Sequence, residues 1–346
     1  MTATIWLDQC ISGMRVAETL INRYKAVIVN EGSVLDDHLI NKLLNLGYHK
    51  LRVYVTNDED IESNTTRAFI KEYTQNLNEM KSVLFDISSG KSLDMPTISK
   101  VTDFIYSRRE NFLGVLACLN QLRDADEYTY THCLNVGFIN MLIAKWMNLD
   151  EESLKDVMQA GLLHDVGKCR ISESILNKPI ALTNDEFNEI KKHPAFGYEI
   201  LESVTDVKPT TAITALEHHE KASGKGYPQG LKSEDIHLFG RITAVADIYD
   251  AMTSNRVYHK RSSPFQVFGI LEDMMFGSLD PQIVLTFLQN YAGYYVGDRV
   301  RLSDGTEGLV IFINPRSMSK PVVQTDGGVV NLAEPQYSEV FISDII

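Results

Sequence analysis

The chain has 346 residues, 44% of them hydrophobic, enough for two or three domains that each bury a core. A formal net charge of -13 argues against a broad face for polymeric DNA or RNA, yet leaves room for a small phosphorylated ligand held by metal ions and a few local cations. No apolar run of about 18 residues predicts a membrane span, and the first residues lack the basic-then-apolar order of a secretion signal, so a cytoplasmic protein is expected.

Residues 1–58 read as a small α/β module. Ala26–Val29 has the pattern of a strand, Asn30–Gly32 of a turn, Asp36–Leu46 of an amphipathic helix closed by Gly47, and Leu51–Val55 of a second strand. The polar stretch 57–64 reads as a linker, and residues 59–125 as a helical linker and the start of a bundle. There, Thr66–Leu84 and Thr97–Asp124 carry apolar residues at spacings of three and four, broken by Ser88-Ser89-Gly90.

The helical core is expected over 126–292. Asp150–Glu152 caps a helix that ends at His164-Asp165, and Thr183–Glu186 has the capping-box pattern, starting the helix that delivers His193. Pro194 marks a break, Ala212–Glu217 a helix ending in His218-His219, and Gly224–Pro228 a loop. Leu238–Thr253 is an apolar helix interrupted by Asp247 and Asp250. From 293 to 346 short alternating runs separated by turns predict a β-rich, barrel-like domain. The fold class expected is multi-domain and mainly α, with small N-terminal α/β and C-terminal β-rich parts.

His132, His164-Asp165, His193, His218-His219 and Asp247 follow one another at intervals of about 25 to 32 residues, roughly one helical hairpin per step. A bundle with that rhythm can bring all of them to one point. Imidazole and carboxylate donors suit iron, manganese, zinc or nickel. An Asp directly after a His can bridge two ions, and two ions can acidify a water and clamp a phosphodiester. An Asp inside the apolar run RITAVADIYDAM needs a partner, a cap or a metal. Lys168, one turn past His164 in HDVGK, is placed to contact phosphate, near a glycine that admits a close ligand. The scattered Cys10, Cys118, Cys133 and Cys169 read as free thiols in a reducing compartment, with Cys133 and Cys169 as alternative ligands or redox sensors.

With these segments in view, the chain resembles the HD-GYP family of metal-dependent phosphohydrolases. The matching runs are YTYTH ending at His132, GLLHDVGKCRISESILNKPIALT, KKHPAFGYEIL, HHEKASGKGYPQGL and RITAVADIYDAMTSNRVYHK, within 126–262. The resemblance implies hydrolysis of cyclic di-GMP to linear pGpG, with the further step to GMP left open, by a hydroxide bridging two divalent ions, with iron or manganese ahead of zinc or nickel. It implies that His132, His164, Asp165 and Asp247 hold one metal, that Asp165 bridges, and that His193, His218 and His219 complete the second. Lys168 and Arg256 would contact phosphate. Tyr227 would shape the signature loop, where a neutral phenol is a poor base.

Three departures stand out. Tyr128 replaces a Glu that holds a third metal in some members, which favours two ions. Ser223 stands where the loop usually has an Asp, and His259, followed by Lys260 and Arg261, stands where a basic residue is usual. The N-terminal module resembles the region that often precedes this domain and implies a regulatory or dimerising role. The resemblance also implies a homodimer and a diguanylate-cyclase-type partner at the signature loop. Base recognition stays open at this point: cyclic GMP-AMP is the alternative substrate. A weakly active nucleotide receptor and an iron-based redox sensor are the alternatives to an efficient enzyme.

Overall fold

The structure, a computed structural model, describes residues 2–10, 14–21, 27–35, 37–45, 47–54, 63–110, 115, 116, 119, 128–178, 180–254 and 262–346. The chain forms two compact units, Met1–Tyr73 with Leu113–Cys118, and Thr74–Phe112 with Leu119–Ile346.

In the first unit β1 (Thr2–Trp6), β5 (Lys50–Tyr54) and β2 (Arg15–Val16) form an antiparallel sheet in the order β1-β5-β2, while β3 (Leu20–Ile21) pairs with β4 (Val27–Val29). Alternation along β5 buries Leu51 and Val53 on one face. Helix α1 (Asp37–Asn45) adds Ile40 and Leu43 to the same core as Ile5, Leu7, Val16 and Leu35. Gly47, at φ +82, takes the left-handed turn that stops α1, as expected. Ala26, Asp36, Leu46, Val55 and most of the expected polar linker lie outside the described residues.

Helix α2 (Ser63–Ser88) ends at the predicted Ser-Ser-Gly break, and α3 (Met95–Ser107) starts on Asp94, whose carboxylate accepts from Thr97 N. Of the helix expected from Thr97 to Asp124, the first part ends at Ser107, whose hydroxyl donates to Phe104 O; residues 108–110 form a turn, 115, 116 and 119 are helical again, and the rest of 111–124 lies outside the described residues.

The bundle is built around α4 (Tyr128–Trp146), in which every residue from Thr131 to Ala144 is buried. Against it pack α5 (Glu151–Leu163) and α10 (Leu238–Thr253). Between them come α6 (Glu173–Leu176), α7 (Asn184–Ile190), α8 (His193–Glu202) and α9 (Pro209–Glu217). Caps on Asp150 and Thr183 form as expected, the second a complete capping box with Glu186. The boxed helix ends at Ile190, however, and His193 opens the next one, because Pro194 fits a first turn and not a helix interior. Helices α11 (Pro264–Met274) and α12 (Pro281–Tyr291) close the bundle. Tyr249 of α10 packs on Phe287 and Tyr291, each with ring centroids 4.9 Å away. Such an aromatic cluster fixes α10 from behind.

The β-rich end is an open antiparallel sheet in the order β10-β6-β7-β8-β9, from β6 (Arg299–Leu302), β7 (Glu307–Asn314), β8 (Ser317–Thr325), β9 (Gly328–Asn331) and β10 (Ile342–Ile345). Register shifts along β7 curve it. Its edges β9 and β10 do not pair with each other, so barrel-like closure is not part of the sheet described. The Glu272 carboxylate of α11 accepts from Met318 N at 2.7 Å and from the Ser319 hydroxyl, which pins β8 to the bundle. No described helix is long and apolar enough to cross a membrane.

Candidate metal centre

Three histidines sit where helices end. His164 follows α5, His193 follows α7, and His218 follows α9. The last carbonyls of a helix have no partner within it. Each ring uses one: His164 Nδ1 lies 2.7 Å from Gly161 O, His193 Nδ1 2.7 Å from Ile190 O, and His218 Nδ1 2.9 Å from Ala215 O. A carbonyl only accepts, so Nδ1 donates, and in the neutral ring Nε2 is left with a lone pair. The same local geometry thus fixes one tautomer three times. It also turns three negative helix ends toward one point.

The lone pairs meet around Asp165. Its Oδ1 lies 3.2 Å from His193 Nε2 and 3.8 Å from His218 Nε2, while Oδ2 lies 3.4 Å from His164 Nε2 and 3.6 Å from His132 Nε2. His193 Nε2 and His218 Nε2 are 3.2 Å apart. His132 Nε2 is also 3.1 Å from Asp247 Oδ1, and His219 Nδ1 is 4.0 Å from Asp247 Oδ2. His164 Nε2 and Asp165 Oδ1 are buried without a hydrogen-bond partner. Buried acceptors facing one another need a cation between them. Asp165, His193, His218 and His219 can converge on one ion, and His132, His164 and Asp165 on another, with ligand atoms of each group within 4.8 Å of one another. Asp165 belongs to both groups, and Asp247 stands beside the second through His132. The donor set therefore fits two divalent ions.

Burial pushes the Asp165 carboxyl up, but Lys168 and His164 outweigh it and hold it well below the usual carboxylate range. Burial, and then the neighbouring histidines, keep His218 neutral; burial lowers His219 to about 4 against the pull of Asp247. Both rings are ready to ligate at neutral pH. His132 differs: burial opposes its charge, but Asp247 and Asp250 win and raise it to about 9. Without metal it holds a proton that an ion must displace.

Lys168, half-buried, donates to Asp165 Oδ2 and so is tied to the centre. The glycine before it serves a different end from the one expected. A Cβ on Gly167 would lie 2.0 Å from His193 O and 2.4 Å from Gly197 N, so the missing side chain admits the backbone of α8, not a ligand. Tyr227 stacks on His219, centroids 4.8 Å apart, and burial raises its phenol, which stays neutral. Arg256, His259 and Lys260 lie outside the described residues, as does the Tyr128 side chain. Among the described residues, no cysteine joins either ligand group; burial raises the Cys169 thiol to about 11.

Four residues escaped the sequence reading of the site. Glu220, buried beside the two histidines, accepts from Gln229 N at 2.6 Å, Gly230 N at 3.0 Å and Leu231 N at 3.0 Å, and so cages the loop that carries Tyr227. Gly226 lets that loop fold onto it, since a Cβ there would lie 2.4 Å from Glu220 Cα. Asp250 Oδ2 lies 2.7 Å from His132 Nδ1, and Asn135 Nδ2 donates to Asp250 Oδ1 at 2.8 Å. The available signal was position: Asp250 is one turn from Asp247, and Asn135 one turn from His132.

Residues 120–283 match the model of the HD domain. A cyclic di-GMP phosphodiesterase of Pseudomonas aeruginosa is 35% identical over 70% of this chain and 58% of its own length. A 3'3'-cGAMP-specific phosphodiesterase of Vibrio cholerae is 32% identical over 49% of this chain and 36% of its own length. The chain thus spans little more than half of the first relative and about a third of the second. The solved HDG"Y"P protein of Bdellovibrio bacteriovorus shares the fold at 12% identity, with a TM-score of 0.54 over 83% of this chain and 98% of its own. Residues 120–283, which hold every member of the two ligand groups, therefore match the HD domain.

Proposed function

We propose that this chain hydrolyses cyclic di-GMP, opening the ring to linear pGpG, with GMP as the further product to be tested. The observation that supports it most is the convergence of imidazole Nε2 lone pairs and two carboxylates in a buried space. His132, His164, Asp165 and Asp247 would hold one ion; His193, His218 and His219 would hold the other, with Asp165 shared. Two such ions supply an acidified water and a charge clamp for the phosphodiester oxygens. Iron or manganese suits the mixed imidazole and carboxylate set, and zinc or nickel is the secondary choice.

The chain's own groups do the rest. Asp165 and Asp247 stay ionised and hold the centre negative. Lys168 keeps its proton, because Asp165 and Asp247 outweigh its burial, and offers a cation to a phosphate oxygen. Tyr227, stacked on His219, shapes the entrance as a neutral phenol. Arg256, His259 and Lys260 would add contacts to the substrate. Residues 126–292 would form the catalytic domain, 59–125 its helical lead-in, 1–58 a regulatory or dimerising module in the cytoplasm, and 293–346 a supporting β-rich domain. The signature loop around Tyr227 would dock a diguanylate-cyclase-type partner.

The test is anaerobic purification, metal quantification and nucleotide assay on one sample, with cyclic di-GMP and cyclic GMP-AMP side by side. About two ions per chain and conversion of cyclic di-GMP to pGpG or GMP are expected. Preference for cyclic GMP-AMP would move the substrate assignment and keep the chemistry. A metal-loaded chain that leaves both intact would overturn the enzyme reading.

A further inference from the structure

His132 faces a problem that the helix-end histidines do not. It lies inside α4, where carbonyls of the preceding turn serve the helix, so no free main-chain acceptor is available to fix its ring. A side chain takes that role. Asp250 is 3% exposed, and its Oδ2 lies 2.7 Å from His132 Nδ1. The carboxylate is itself held: Oδ1 accepts from Asn135 Nδ2 at 2.8 Å and from the Ser254 hydroxyl at 3.3 Å. Asn135 sits one turn after His132, so α4 supplies both the ring and one of the groups that hold its partner.

A carboxylate does more than a carbonyl in this position. It fixes the same tautomer, and it adds a negative charge that makes the imidazole a stronger donor through Nε2. His132 Nε2 then faces Asp165 and Asp247, at 3.6 and 3.1 Å. The two ligand groups are therefore unequal. One is His132, His164 and Asp165 with Asp247 beside it, backed by a buried carboxylate; the other is Asp165, His193, His218 and His219, whose His193 and His218 are backed by main-chain carbonyls.

We propose that Asp250 is a positioning residue: it orients His132 and makes the His132 group the tighter of the two divalent-cation positions. This rests on the two-ion reading above, and the test separates the two. Chelator-stripped protein is titrated with Mn(II) by equilibrium dialysis, in the wild type and in Asp250→Asn, with the fold followed by circular dichroism. The wild type binds two ions, the tighter at the His132 group. Asp250→Asn weakens that ion by about 10- to 100-fold and leaves the other, and the spectrum, unchanged. On a His218→Ala background, which impairs the other position, the same change removes most of the remaining binding. A wild type that takes up no manganese overturns the two-ion reading and this inference with it. A wild type that binds two ions beside an Asp250→Asn chain that binds both equally well, or loses both equally, overturns this inference alone. Should Asp250→Asn not fold, Asn135→Ala keeps the carboxylate and removes one of its holders. A several-fold weakening of the tighter ion alone is then expected, and unchanged binding overturns the proposal.

Discussion

The candidate ligands at helix ends and those inside helices are held by different means. His164, His193 and His218 are aimed by main-chain carbonyls, which no substitution removes. His132 is aimed by Asp250, and the loop beside His219 is held by Glu220. The first set is robust to change in its surroundings. The second depends on side chains, so its performance can be altered without touching a ligand. The difference teaches where to look for tuning in this centre: in the buried carboxylates one turn or one residue away from the ligands.

The largest effect is expected where the two ligand groups meet. Asp165→Ala removes the carboxylate common to both and leaves Lys168 beside uncompensated imidazoles. Loss of several kcal/mol of transition-state stabilisation, about a thousand-fold or more in kcat, is expected, together with loss of metal. Turnover and metal content measured on one preparation check it; wild-type turnover in a metal-free variant would break the comparison at its centre.

Glu220→Ala comes next. It leaves Gln229, Gly230 and Leu231 N–H groups without their buried acceptor. A loss of about 3 kcal/mol in stability is expected from charge-assisted bonds of this kind. Metal content should persist, since Glu220 touches no ligand atom of the two groups. Denaturant unfolding and metal analysis would show it, and loss of both ions would mean that Glu220 belongs with the ligands.

The third expectation concerns pH. The His132 imidazole is raised to about 9 in the metal-free chain, against an ordinary value of 6.5. A raised folded value means that the contribution to metal-free stability is full below 6.5 and is lost as pH rises toward 9. Metal binding runs the other way, because the ion must displace that proton. Over this window the stripped protein should melt lower with rising pH while its affinity for manganese grows by about tenfold per pH unit. Parallel thermal scans and titrations test both signs.

The smallest effect lies away from the centre. Asp150→Ala removes the cap that accepts from Ser153 N at 2.9 Å at the start of α5. About 1 kcal/mol of stability should go, with metal uptake unchanged because the His164 end of that helix is fixed by its own carbonyl.

The contrast between the two kinds of ligand also explains what the sequence made visible. The clustering of these histidines and aspartates was readable because they recur at one helical hairpin per step, and hairpins return the chain to the same point. Leu238–Thr253, the Asp150 cap and the Thr183 box were readable from apolar spacing and local capping chemistry. Partners that meet only through packing were hidden. Asp250 and His132 are 118 positions apart, and nothing local tells an aspartate that binds metal from one that holds a histidine. Gly167 was expected to admit a ligand, and what it admits is the backbone of His193, brought by a helix that starts later than the pattern suggested. The helix expected from Thr97 breaks after Ser107, where a side chain competes for a main-chain carbonyl. The strand Thr2–Trp6 was not read, because its pairing partner lies at Lys50–Tyr54.

The most direct test of the central claim is to crystallise the manganese-loaded protein and collect anomalous diffraction at the metal edge. The account predicts two peaks that share Asp165, one among His193, His218 and His219, the other among His132, His164 and Asp247. A single peak, or metal bound away from Asp165, would contradict it.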